Sequence, residues 1–135
     1  MKRSHALREL SREHHEALVL ARHACAAQPG SEAAQAQREH LLARWSEQFE
    51  PHFALEETVL LPALEASGNT SPADLALAQH SELRQIISHL QCGDLQALAA
   101  WGDAMRVHVQ FEERRLFPLA ESVLDLTVLG DLMIR

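Results

Sequence analysis

Apolar residues recur every three to four positions through four long stretches of the chain, the spacing of amphipathic α-helices. The first stretch runs from about Ser4 to Ala27, with an inward stripe of Leu7, Leu10, His14, Ala17, Leu18, Ala21 and Ala24. Gln28, Pro29, Gly30 and Ser31 stop it. The second runs from about Glu32 to Ala66, with Leu42, Trp45, Phe49, His52, Glu56, Val59 and Ala63 facing inward. Pro51 and Pro62 interrupt this pattern without ending it, which predicts bends rather than breaks. The third opens with Ser71 as N-cap and Pro72 at the first helical position, and its stripe is Ala73, Leu77, His80, Leu83, Ile87 and Leu90. The fourth follows Asp94, from about Leu95 to Ser122, with Leu98, Trp101, Met105, His108, Glu112, Leu116 and Leu119. Short turns between four such helices predict an all-α, antiparallel up-down-up-down four-helix bundle over residues 1–122. The apolar tail 123–135 is read as a short C-terminal helix or docking segment.

The exceptions within these stripes carry the information. His14, His52, Glu56, His80, His108 and Glu112 each sit where an apolar residue is expected. Helices two and four also repeat one another without a gap from Trp45/Trp101 to Glu65/Glu121. In that register His52 aligns with His108, Glu56 with Glu112 and Pro62 with Pro118. A second offset aligns His14, Glu16 and His23 with His80, Glu82 and His89. The chain thus reads as a duplicated helical hairpin.

Composition narrows the class. The 135 residues suit one domain, and 47% of them are hydrophobic, enough for a core. A formal charge of −7 without clustered Lys/Arg excludes a phosphate-tracking surface, so nucleic acid is not an expected partner. Cys25 and Cys92 form neither a CxxC motif nor a disulfide framework. With no apolar run of about 18 residues and a charged start, the expected setting is soluble and cytoplasmic, with no membrane partner.

A His and a Glu at i and i+4 project from one helix face. Two such pairs and two further imidazoles, left charged and unpaired in a core, would cost roughly several kcal/mol each. Metal coordination removes that cost. Four His and two Glu exceed one tetrahedral zinc site. They suit two first-row ions bridged by both carboxylates, with mixed imidazole and carboxylate donors favouring iron over manganese or zinc. A solvent-derived oxo or hydroxo bridge would leave one open position per ion for O2, peroxide, NO or water.

The order His … His-x3-Glu … His … His-x3-Glu, with each pair running on to Glu-x2-Leu-x-Pro, resembles the hemerythrin-like (HHE) cation-binding domain over about the first 120 residues. The resemblance implies a four-helix bundle with a non-haem di-iron centre. It carries ligand roles onto His52, Glu56, His108 and Glu112, with His80 as the third-helix ligand. For the first helix both His14 and His15 are candidates. His14 lies on the core stripe and aligns with His80, so it is preferred, with His15 as an alternate or additional ligand. Glu57 and Glu113 are expected beside the ligands rather than on the metal. The chain departs from oxygen-carrying hemerythrins at Arg84, where those have a second third-helix His, and Glu113 competes with Glu112 as the last carboxylate. The ferritin-like Glu-x-x-His pattern is absent.

Three functions compete. The preferred one is a binding or sensing protein rather than an enzyme, responding to O2, iron or redox state, with any signal passing to a separate protein partner or through the tail. The second is an enzyme-like centre that reduces peroxide or NO, or repairs iron centres. The third is a metal-free helical interaction module. His5, His23, His40 and His89 are read as surface residues, Trp45 and Trp101 as core aromatics, and the tail as either a homodimer contact or a segment packed on its own bundle.

Overall fold

A computed structural model describes residues 3–134. Those residues form five helices and no strand: α1 (His5–Ala26), α2 (residues 32–66), α3 (Thr70–Gln91), α4 (residues 97–123) and α5 (Leu126–Leu132). The chain is an all-α helical bundle. Helix α1 packs on α2 and α4, and α3 also packs on α2 and α4, which closes a ring. The most extensive of these contacts is α1 with α4. Its closeness has a cause at Gly102, where a Cβ would stand 2.6 Å from the carbonyl oxygen of Ala21.

Local chemistry sets most of the ends. Ser31 Oγ accepts from Ala34 N–H at 3.0 Å and caps α2. Gly68, at φ +92°, turns the chain out of α2, and Asn69 N–H then reaches back to Leu64 O at 2.8 Å. Asp125 Oδ1 accepts from Thr127 and Val128 N–H at 3.0 and 3.1 Å and starts α5. The start of α3 differs from expectation: it begins at Thr70, with no side-chain cap from Asn69, and Ser71 lies inside it. Pro72 is tolerated there because first-turn N–H groups have no intrahelical partner.

Pro51, Pro62 and Pro118 break nothing. Each is preceded by a π turn: Trp45–Phe49, Glu56–Leu60 and Glu112–Leu116. The residue before each proline donates its N–H five residues back, Glu50 to Trp45, Leu61 to Glu56 and Phe117 to Glu112. An extra residue in the turn shifts every later side chain around the helix. Beyond Glu56 the buried positions are therefore Leu60, Leu61 and Leu64, not Val59 and Ala63. Beyond Glu112 they are Leu116, Phe117 and Ala120, with Leu119 only half-buried. Elsewhere Leu20 and Ala76 take the core positions expected for Leu18 and Leu77, which are exposed.

The core has two apolar clusters. One includes Leu20, Phe49, Phe53, Leu83, Trp101 and Met105; the other includes Leu7, Leu10, Leu60, Leu64, Leu116 and Phe117. Along α1 and α3 the second cluster comes first, and along α2 and α4 the order is reversed. Between the clusters, on every one of these helices, lies a buried polar layer. Helix α5 lies on α1 and on the Glu56–Leu60 turn of α2, burying Leu129 and Met133 while Val128, Leu132 and Ile134 face out.

Candidate metal centre

The polar layer contains His14, His52, Glu56, His80, His108 and Glu112, all buried, four of them completely. They form two overlapping groups. His14, His52, Glu56 and Glu112 bring one ligand atom each to within 4.8 Å of one another, and so do Glu56, His80, His108 and Glu112. Both carboxylates belong to both groups. His15, one position from His14, is exposed and outside them.

Within the cluster the atoms are close but poorly matched as hydrogen bonds. His14 Nε2 meets Glu112 Oε1 at 2.8 Å, the one aligned pair. His52 Nε2 lies 3.3 Å from Glu56 Oε2, His80 Nε2 3.0 Å from Glu56 Oε1, and His108 Nε2 3.3 Å from Glu112 Oε1. None of these three is directed as a hydrogen bond should be, and the three Nε2 atoms, both Glu56 oxygens and Glu112 Oε2 have no hydrogen-bond partner. Six buried polar atoms without partners, all facing one small volume, are costly unless something else satisfies them. Imidazole nitrogens and carboxylate oxygens in this number suit first-row divalent cations, so the residues fit a metal site.

A family model for the hemerythrin HHE cation-binding domain matches residues 5–120. The chain belongs to this family. No curated protein and no solved structure matches it.

The hemerythrin cluster is surrounded by a second set of groups, on the far side of each imidazole. His14 Nδ1 is 2.6 Å from Glu113 Oε2, His52 Nδ1 is 3.1 Å from Glu13 Oε1, His80 Nδ1 is 2.7 Å from Glu57 Oε2, and His108 Nδ1 is 2.7 Å from Gln79 Oε1. A carboxylate only accepts, so each of the first three Nδ1 atoms carries the proton and Nε2 faces the cluster, where that of His14 meets Glu112. The acceptors pass around the ring: α4 holds the imidazole of α1, α1 that of α2, α2 that of α3, and α3 that of α4. The three carboxylate acceptors have anchors of their own. Arg3 and Ser11 bond Glu113, Gln48 bonds Glu13, and Arg84 bonds both Glu57 and Glu50. Arg84 thus holds an acceptor in place.

Glu13 and Gln79 were not among the expected site residues. The signal was available: each immediately precedes an aligned histidine, His14 or His80, in the second repeat register. Two rings close the layer against water. Phe53 stacks on His80 at 3.9 Å between centroids, and Phe117 on His14 at 5.3 Å.

The field inside the layer follows from these contacts. Burial works against charge on His14, His52 and His80, yet the surrounding carboxylates outweigh it and raise all three, His52 most clearly. Burial would likewise raise Glu112, but the neighbouring imidazoles, His108 foremost, hold it well below the usual carboxylate range. Glu57 is lowered by Arg84 and His80, and Glu113 by His14 and Ser11, each against its own burial. Without a cation, the raised His14, His52 and His80 are the groups whose protons would offset the carboxylate charge.

Proposed function

We propose that this chain is a non-haem di-iron protein that binds or senses O2, iron or redox state. His14 and His52 would hold one ion, His80 and His108 the other, with Glu56 and Glu112 bridging the pair. The observation that carries this reading is the set of partnerless buried atoms on residues shared by two overlapping four-donor groups. Iron is favoured over manganese or zinc by the mixed imidazole and carboxylate donors. When bound, two iron ions supply a reversible redox couple and coordination positions for a small ligand.

The chain's own residues supply the rest. Glu113, Glu13 and Glu57 hold the imidazoles in the Nδ1–H tautomer and leave Nε2 as donor. Phe53 and Phe117 exclude bulk water from two of the imidazoles. Burial of all six donors keeps a bulky organic substrate away from them, which favours a small ligand such as O2, peroxide or NO. Among the described residues no helix is long and apolar enough to cross a membrane. Two exposed free thiols, Cys25 and Cys92, suit a reducing compartment such as the cytoplasm. Residues 1–122 would form the iron-binding unit, and the segment from 123 onward would cover its flank.

Exposure of the iron-loaded protein to O2, H2O2 and NO in turn, with optical spectra and product counting, tests the functional half of this reading. A stable adduct, or a single stoichiometric oxidation, is expected. Repeated consumption of peroxide or NO would make the protein an enzyme and overturn the sensing assignment.

A further inference from the structure

The ring of acceptors is not symmetric. Three of its members are carboxylates, and the fourth, Gln79, is an amide. The difference falls on one side of the cluster. Both imidazoles of the first group, His14 and His52, are backed by carboxylates. In the second group His80 is backed by Glu57 and His108 by Gln79; an arginine lies on a backing carboxylate in each group, Arg3 on Glu113 at 3.2 Å and Arg84 on Glu57 at 2.7 Å, so the difference rests on Gln79.

Two physical consequences follow. A carboxylate behind an imidazole makes Nε2 a stronger donor and adds negative charge near the cation; a neutral amide does less of both. A carboxylate also fixes the tautomer, because it can only accept. An amide can accept from Nδ1–H or, turned over, donate to a bare Nδ1, so it enforces the metal-ready form of His108 less strictly.

We infer that the two cation positions are unequal, with the His14/His52 position the tighter and Gln79 the residue that weakens the His80/His108 position. This rests on the two-ion reading above. Gln79 acts as a positioning residue here: it reaches the cation only through His108.

Co(II) titration of the metal-free protein, followed by calorimetry and by metal content after desalting, tests it. Repulsion between two bound ions also separates the two steps, so each position is best compared alone. His108→Ala should leave the first position and His52→Ala the second, each binding one Co(II). The expected result is at least about tenfold tighter binding in His108→Ala. In the otherwise unaltered chain, Gln79→Glu should tighten the weaker step by about 10- to 100-fold, and Glu13→Gln should weaken the tighter step by a similar factor. If two ions bind but Gln79→Glu leaves the weaker step unchanged or weakens it, the asymmetry is wrong while the two-ion centre stands. If the unaltered chain binds no more than one ion, the two-ion reading fails and this inference with it.

Discussion

At the scale of single residues, the metal-binding proposal rests on six side chains that would be unfavourable in any ordinary core. His52→Ala or Glu112→Ala should sharply lower the metal content of purified protein, whereas His40→Ala, on an exposed face, should leave it unchanged. Equal metal content in all three would remove the ligand assignment. The same residues make the metal-free chain sensitive to pH. His14, His52 and His80 are raised above the ordinary imidazole value, so their contribution to stability is complete below about 6.5 and is lost as pH rises through the raised values. Glu112 is depressed, so its contribution is complete above about 4.3 and is lost as pH falls through the depressed value. Thermal melting of chelated protein should therefore show its highest midpoint between about pH 4.5 and 6.5, with a decline toward alkaline pH. Metal affinity should move oppositely on the alkaline side, since imidazole must lose its proton to bind. A metal-free melting midpoint that climbs steadily from pH 6 to 9 would contradict the charge assignment.

At the scale of elements, the helices and their polar exceptions were legible because a duplicated pattern counts twice. His52/Glu56 and His108/Glu112 share one register, so neither pair had to be judged alone. Legibility ended at the π turns. Counting inward positions at 3.6 residues per turn places Val59, Ala63 and Leu119 in the core, and an inserted residue before each proline moves burial on by one. The outer acceptors are half legible: Glu57 and Glu113 stand out as neighbours of Glu56 and Glu112, while Glu13 and Gln79, though each precedes an aligned histidine, read as ordinary polar residues flanking a stripe. Close helix contact was also invisible in the pattern, since Gly102 reads as a weak helix former until Ala21 is known to lie against it. Gly102→Ala should destabilise the fold by about 1–3 kcal/mol in denaturant unfolding, because one of the two obstructing atoms, Ala21 O at 2.6 Å, is backbone and cannot rotate away as the other, Cys25 Sγ, can. Gly130→Ala is the contrasting case. Its Cβ would sit 3.7 Å from Ala6 in ordinary contact, so improved helix propensity should stabilise by up to about 1 kcal/mol.

At the scale of the molecule, two apolar clusters enclose one polar layer, and these have different jobs. The clusters hold the helices together without any cation, so chelated protein should keep its helical circular dichroism. The layer couples stability to metal: if free metal is about 1,000-fold above the dissociation constant, loading adds about 4 kcal/mol. Melting with and without chelator should accordingly differ by several degrees or more. An identical midpoint would mean that the layer is satisfied by protons and salt bridges alone, as in a metal-free interaction module. Helix α5, seated on the Glu56–Leu60 turn, is the part of the fold that the helical periodicity left most open. Its inner residues pack on its own bundle, and its outer face presents Val128, Leu132 and Ile134.

The most direct test is the metal content of protein expressed in iron-supplemented medium, taken with its ultraviolet–visible spectrum in air and after dithionite. The two overlapping donor groups predict about two irons per chain, with near-ultraviolet charge-transfer bands that bleach on reduction. Colourless protein that holds less than about one iron, and that takes up no Fe(II) anaerobically, would contradict the di-iron assignment.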